Sequence, residues 1–409
     1  DQRVHLDGDH LDHRVLERQW EGEDPATHKP VRVPLTVYAD ATRRLINKVA
    51  HTSDVPFDWT VNPYRGCEHG CIYCFARPYH EYLGFSCGLD FETKLVAKHD
   101  APQMLRRELA HRSWKGEPIV MSAITDVYQP LDRDLQLSRG CLEVMAEAHQ
   151  PVSTMTKSTG VMRDADLWQK LAKVNAGRVI VTLVTLDDEL AGKLEPRASP
   201  PSARLRVIRQ LTDAGVPVGV NIAPVIPGLT DQEVPALLEA VADAGAKRVA
   251  WVLLRLPYQV KDLFLDWLQR HVHPDRARKV ESLIRQARGG KLYDAGPRKD
   301  PRNATRSTAR NRPHRVDNRT SDLVATRDVD GRNAANTRRL AGNTSGGGVA
   351  SGGGHDRRRG QGHHAYQLKQ VFDVYCRKHG LNRDIRPLSS KHFRRPSLHG
   401  QIDLFNAGA

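Results

Sequence analysis

Apolar and polar positions follow two rhythms along this chain. From about Asp58 to Leu256, short apolar, β-rich runs recur at Ile119–Ile124, Val152–Met155, Val179–Thr185, Val218–Ala223 and Val249–Leu254. Stretches with helical spacing lie between them, near Gln103–His111, Leu135–His149, Asp164–Val174, Ala203–Ala214 and Glu233–Ala244. A short strand before Cys67 completes six βα units. The strand runs are almost continuously apolar, as a parallel sheet buried under helices requires; a sheet with one wet face would alternate. Gly215 and Gly245 stand where two helices should stop, and Thr230 and Glu233 have the spacing of a helix-capping box. The pattern predicts an α/β fold, a partial (β/α)6 TIM-like barrel, with a doubly wound sheet as the alternative. Either places chemistry beyond the carboxyl ends of the strands.

The flanks read differently. Residues 1–57 are polar and mixed, an N-terminal extension with one short helix predicted near Ala41–Val49. The core, 58–294, ends in a helical tail with apolar positions at Leu263, Phe264, Trp267 and Leu268, then at Val280, Leu283 and Ile284. Composition breaks over 295–360. Residues 296–360 hold fourteen Arg, one Lys, two Gly-Gly-Gly runs and no Phe, Tyr or Trp, so they cannot bury a core and are expected to be a disordered insertion. Helical spacing returns at Tyr366–Leu381, with Leu368, Val371, Phe372 and Tyr375, and residues 361–409 read as a small helical C-terminal segment.

Net charge is +14, which suits a polyanionic partner such as DNA or RNA. However, fifteen cations against six acids place +9 of it within 296–360, so the charge says little about the folded core. No apolar run of about 18 residues exists, so no membrane span is expected. The first residues lack the basic start and apolar run of a secretory leader, and the expected location is cytoplasmic. Of six cysteines, Cys67, Cys71 and Cys74 fall within eight residues. In a long chain, such clustering suggests metal or redox chemistry rather than a disulfide framework.

That segment reads Asn62-Pro63-Tyr64-Arg65-Gly66-Cys67-Glu68-His69-Gly70-Cys71-Ile72-Tyr73-Cys74-Phe75-Ala76-Arg77. Its C-x3-C-x2-C spacing lets three soft, anionic thiolates take three corners of one iron–sulfur cube and leave the fourth iron open. Gly66 and Gly70 allow tight bends around it. The competing reading is a structural zinc site completed by Cys87 or His80, in a zinc-stabilised, non-catalytic nucleic-acid-binding protein. Cys141, with Leu137, Met145 and Ala148 on one helix face, reads as core.

The C-x3-C-x-aromatic-C run at the end of a first barrel strand resembles the signature of the radical S-adenosylmethionine (SAM) superfamily. The surrounding Tyr-Arg-Gly-Cys-x-His-Gly-Cys and Tyr-Cys-Phe-Ala-Arg-Pro are similar to its spore photoproduct lyase-like branch, as are Leu89-Asp90-Phe91-Glu92-Thr93-Lys94, Ala223-Pro224-Val225-Ile226-Pro227-Gly228 and Leu253-Leu254-Arg255-Leu256-Pro257. The resemblance implies a barrel of the radical SAM type and a [4Fe–4S] cluster on Cys67, Cys71 and Cys74. It further implies SAM bound at the open iron and cleaved reductively to a 5′-deoxyadenosyl radical, which takes hydrogen from a substrate. An electron donor such as flavodoxin or ferredoxin is implied, and DNA or RNA is one substrate class. It places Tyr73 near the adenine. Ser122 and Asp126, after the second strand, are candidates for the methionyl amino group, although the glycines that many relatives carry there are absent. Lys157, ending the third strand, and Arg197 are candidates for carboxylate recognition. Thr182 on the fourth strand is a candidate for the ribose and Asn221 on the fifth for the cofactor. Arg255 is a candidate for the substrate, and Glu233 reads as a helix cap. No cysteine aligns with the hydrogen donor of spore photoproduct lyases, so their repair reaction is not implied.

Overall fold

The computed structural model describes residues 13–23, 30–50, 55–293, 358–383 and 386–398. Side chains are described from residue 34 onward. The Arg- and Gly-rich insertion expected over 295–360 lies, up to residue 357, outside the described residues.

Seven strands form the main sheet, in the order β11-β10-β9-β8-β7-β4-β3. Six are parallel: β4 (Trp59–Val61), β7 (Ile119–Met121), β8 (Val152–Thr156), β9 (Gly177–Leu183), β10 (Val218–Val225) and β11 (Arg248–Leu253). Their spatial order follows the chain order. A doubly wound sheet would reverse at a switch point, so the winding is that of a partial (β/α)6 barrel. β3 (Ile46–Lys48) lies antiparallel to β4 and closes one edge. Here the structure corrects the helix expected over Ala41–Val49. Glu108 accepts from the Leu45 and Ile46 backbone N–H groups at 2.6 and 2.9 Å, which holds the segment extended for pairing.

Within the extension and the first turns, β1 (His13–Glu23) and β2 (Pro30–Ala39) form a hairpin. β5 (Tyr64–Arg65) and β6 (Lys94–Ala97) join it as a four-stranded sheet, β1-β2-β6-β5. Strands this short gave no periodic signal. Helices connect the barrel strands: α1 (Asp90–Thr93) and α2 (Ala101–Ala110) before β7; α3 (Asp132–Leu135) and α4 (Leu137–Glu147) before β8; α5 (Ala165–Lys173) before β9; α6 (Asp188–Leu194) and α7 (Pro201–Asp213) before β10; α8 (Val234–Asp243) before β11. α9 (Val260–His271), α10 (Pro274–Gln286) and α11 (Gly362–Lys378) follow. The proposed capping box at the start of α8 is not formed. Thr230 accepts instead from the Ile226 N–H at 3.0 Å, and Glu233 accepts from the Thr185 hydroxyl and the Leu186 N–H.

The core lies between the sheet and these helices. Met121, Val179, Val181, Val220, Ile222, Val249 and Trp251 from the strands meet Leu105, Leu142, Trp168, Ile208 and Leu237 from the helices. Cys141 is fully buried there. Alternation along each strand puts Ser153, Met155, Arg178, Ile180 and Asn221 on the opposite, concave face, where they are half-buried and Ala250 is exposed. That face is open, as a partial barrel leaves it. Trp251 also stacks on Phe372 of α11, with centroids 4.9 Å apart. Beyond α11 the chain crosses the amino ends of the strands. The Ser389 N–H donates to Asn175 O, the Ser390 hydroxyl to Gly116 O and the Arg394 N–H to Ala148 O. Among the described residues no helix is long and apolar enough to cross a membrane.

Candidate active site

The cysteine loop leaves the carboxyl end of the first parallel strand. Gly66 turns it with φ +76°, and a Cβ there would press on the Phe91 carbonyl oxygen at 2.9 Å. The Cys67 N–H donates to that same carbonyl at 2.9 Å. Glu68, fully buried, donates its N–H to Gln129 Oε1 and accepts from the Leu131 N–H. His69 Nδ1 lies 3.3 Å from Asp126. Gly70, at φ +66°, passes so close to the Arg197–Glu92 ion pair that a Cβ would collide with both side chains. Gly70→Ala is therefore expected to deform the loop rather than the barrel. Iron uptake should fall several-fold while the circular dichroism spectrum stays native; full iron uptake would contradict this reading.

Cys67 and Cys71 are buried, Cys74 is half-buried, and all three thiols are free. Burial pushes the Cys71 thiol up to about 12, with Lys157 acting against the rise and Glu195 and Cys74 adding to it. Burial also raises Cys67, helped by Asp126 and Cys71; the Asp126 backbone N–H opposes this by hydrogen-bonding the sulfur. Thiols held this way stay protonated unless a strongly positive centre takes their charge. Among the described residues, no three His, Cys, Asp or Glu side chains close around one point as the ligands of a single ion would. A cubane takes each thiolate at a different iron, so the soft three-sulfur donor set on this loop fits a [4Fe–4S] cluster. Of the two proposed completing ligands for zinc, His80 is engaged elsewhere. His80 Nε2 bonds the Lys94 carbonyl at 2.9 Å, and its ring packs on Phe91.

Next to Cys71 the sequence-predicted residues divide. Tyr73, Lys157, Thr182 and Asn221 come together. Thr182 pairs in register with Asn221, which pairs with Ala250, and Lys157 follows Thr156, the last residue of β8 to pair with β9. Lys157 Nζ stands 5.7 Å from the Tyr73 ring centroid. Burial opposes its charge, but Cys71 and Glu195 outweigh burial and its ammonium holds its proton more tightly than usual. The Tyr73 hydroxyl donates to Glu195, which is 1% exposed and paired with the equally buried Arg204. Arg204 also donates to the Thr182 and Ser199 carbonyls at 2.9 and 2.6 Å. Glu195 and Arg197 thus do not form a surface pair with each other.

Ser122 and Asp126 serve the loop after β7. Ser122 has φ +86°, and its hydroxyl lies within hydrogen-bond reach of the Thr125 and Met155 carbonyls. Asp126 accepts from the Thr156 hydroxyl at 2.9 Å and from the Lys157 and Tyr128 N–H groups at 2.8 and 2.9 Å. Burial raises its carboxyl, but His69 and these donors outweigh burial and hold it below the usual range. Arg197 turns to the cysteine loop, donating to the Glu68 carbonyl and to Glu92. Arg255 stands 6.0 Å from the Tyr293 ring, beside a separate cleft of about 540 Å³ lined by Tyr258, Lys261, Lys291 and Tyr293. Sequence reasoning missed Arg77, Glu92, His69 and Arg204. Arg77 and His69 both lay inside the cysteine segment and were legible there.

The profile of the Radical SAM superfamily matches residues 61–241. An uncharacterized protein of Mycobacterium tuberculosis is 37% identical over 264 residues, 63% of this chain and 77% of the relative. An uncharacterized protein of Methanocaldococcus jannaschii is 28% identical over 175 residues, covering 43% of this chain and 63% of that one. Among solved structures, spore photoproduct lyase complexed with dinucleoside spore photoproduct shares 14% identity at a TM-score of 0.45, over 58% of this chain and 68% of that one. The chain belongs to the radical SAM superfamily. With that family it is an enzyme that uses a [4Fe–4S] cluster and SAM.

Proposed function

We propose that Cys67, Cys71 and Cys74 hold the cluster and that Tyr73, Lys157, Thr182 and Asn221 hold SAM beside it. The observation that supports this reading is the Thr182–Asn221 pair on adjacent strands, with Lys157 just past the end of β8 and its Nζ 5.7 Å from the Tyr73 ring centroid. When bound, the cluster supplies the electron that splits SAM into methionine and a 5′-deoxyadenosyl radical able to abstract hydrogen. The chain's own residues bind, orient and shield. Lys157 offers a fixed ammonium to the methionyl carboxylate. Tyr73 gives an apolar ring face, locked in place by its bond to Glu195. Thr182 and Asn221 present neighbouring polar groups to the ribose. Ser122 and Asp126 shape the β7 loop that carries the Asp126 N–H to Cys67, and Arg197 braces the cysteine loop. The substrate enters the open concave face, and DNA or RNA is the class proposed, from the resemblance of the cysteine segment to the spore photoproduct lyase-like branch. Flavodoxin or ferredoxin is the proposed electron donor.

The test is anaerobic reconstitution, chemical reduction and detection of 5′-deoxyadenosine and methionine, with and without single- and double-stranded DNA or RNA. Cleavage that nucleic acid stimulates supports the whole reading. Absence of cleavage by a protein with a full cluster rejects it, and cleavage indifferent to nucleic acid rejects the substrate class alone. For Lys157→Ala, loss of a charge-assisted contact is expected to weaken SAM binding to the oxidised cluster protein by roughly tenfold or more, measured by equilibrium dialysis. Unchanged affinity would remove Lys157 from the site.

A further inference from the structure

Beneath the cysteine loop lies a buried chain of three charges. Arg77 is 1% exposed, and its guanidinium uses all five N–H donors. Nε donates to Cys71 O at 3.0 Å. Nη1 donates to Cys87 O at 3.2 Å and Gly88 O at 2.8 Å. Nη2 donates to Gly70 O at 3.0 Å and to the Glu92 carboxylate. Its cation also stands 5.3 Å from the Phe91 ring centroid. Glu92 takes Arg77 on one oxygen and Arg197 on the other, and Arg197 reaches on to the Glu68 carbonyl. Within the cysteine loop the carbonyls so gripped belong to Glu68, Gly70 and Cys71, between the first two thiols and at the second. Cys74, Cys71 and Cys67 all act electrostatically on Arg77.

We propose that Arg77, Glu92 and Arg197 are positioning residues that fix the cysteine loop and set the reduction potential of the cluster. The inference rests on the radical SAM reading. Reduction adds one negative charge to a centre already ringed by thiolates. Glu92, and Glu68 acting on Arg197 from the loop, oppose the two cations, but each cation puts a positive charge under that centre where little water screens it. Such a charge stabilises the reduced state and raises the potential. Five bonds hold the Arg77 charge in place, and a lysine could not reproduce that planar fork. Glu92 has the opposite sign: it joins the two arginines while lessening their field. The proposal therefore makes two predictions of opposite direction, which a purely structural role would not.

The experiment is an EPR-monitored redox titration of the full chain with its cluster, together with iron content and circular dichroism. At the potential where half the native clusters are reduced, Glu92→Gln should raise the reduced-to-oxidised ratio about tenfold, or ~59 mV for one electron. Arg197→Gln should lower it by a similar factor, and Arg77→Met likewise. Arg197 is half-buried, which makes its variant the mildest. A variant that keeps its native spectrum but loses iron supports the loop-fixing part. Glu92→Gln and Arg197→Gln proteins that titrate with the native one, or shift in the same direction, overturn the proposal. A native protein that takes up no cluster would instead overturn the function on which it rests.

Discussion

Cys71→Ala protein, reconstituted anaerobically with iron and sulfide, is expected to retain far less than the about four irons per chain that a [4Fe–4S] cluster brings, and to cleave no SAM. The physical basis is the division of labour at this residue. Its carbonyl accepts from Arg77 and its side chain packs with Tyr73, Val184 and Leu194, so alanine keeps the backbone bond and part of the apolar contact. What it removes is the sulfur that lies closest in electrostatic effect to Lys157. The fold should survive while the metal centre does not. Cys141→Ala is the control: that thiol is fully buried against the core, and its loss should lower stability modestly and leave iron content unchanged. Cys87→Ala should also keep its iron if three thiolates suffice. Native iron in Cys71→Ala would remove the loop from the cluster.

The second large effect concerns stability. Glu195→Ala is expected to cost about 3–5 kcal/mol in urea unfolding of the metal-free protein. Glu195 and Arg204 are both 1% exposed and paired. Removing the carboxylate strands a guanidinium inside the fold, leaves the Tyr73 hydroxyl without its acceptor and takes away an anion that Lys157 faces. A domain has only about 5–15 kcal/mol in total, so such a loss is severe. Burial alone would raise the Glu195 carboxyl; Arg204 and Lys157 outweigh it and keep the group charged, which is why its removal is felt as lost charge. Replacing both partners, Glu195→Leu with Arg204→Met, should recover a substantial part, since two apolar groups leave no unpaired charge. A cost below about 1 kcal/mol for the single variant would contradict the account.

The parallel strands and their helices were legible because strands packed under helices write apolar runs, and β7 to β11 each overlap one of the predicted runs. The second sheet was not: β5 and β6 are two and four residues long and carry no period, and the longer β1 and β2 lie in the polar, mixed stretch before residue 58. At Ala41–Val49 a helical spacing lost to a partner: Glu108, more than sixty residues on, captures two backbone N–H groups, and no local pattern announces that. The site divides in the same way. The cysteines declare themselves by spacing. Lys157, which follows the last residue of β8, was reachable as a candidate because strand ends are privileged positions in barrels. Arg197 was read as a ligand-facing cation, yet it faces the loop, since the glutamate that draws it there is 105 residues away in sequence. Buried ion pairs between distant segments leave no periodic trace.

The crossing of the strands' amino ends by residues near 389–395 bears on how the chain is made. The hydroxyl of Ser390 meets a carbonyl 274 positions earlier, and Arg395 meets one 283 positions earlier. During synthesis the amino-terminal part leaves the ribosome first, so the barrel must wait with its base unsealed until residues 389–395 appear. Closing so long a loop carries an entropic cost, which places this contact among the final events of folding. The stretch matched by the family profile, 61–241, stops before β11 and before this seal. A nascent chain of that length would carry an open sheet edge at β10, a surface prone to pair with other chains, and β11, which pairs along β10, is what ends that exposure.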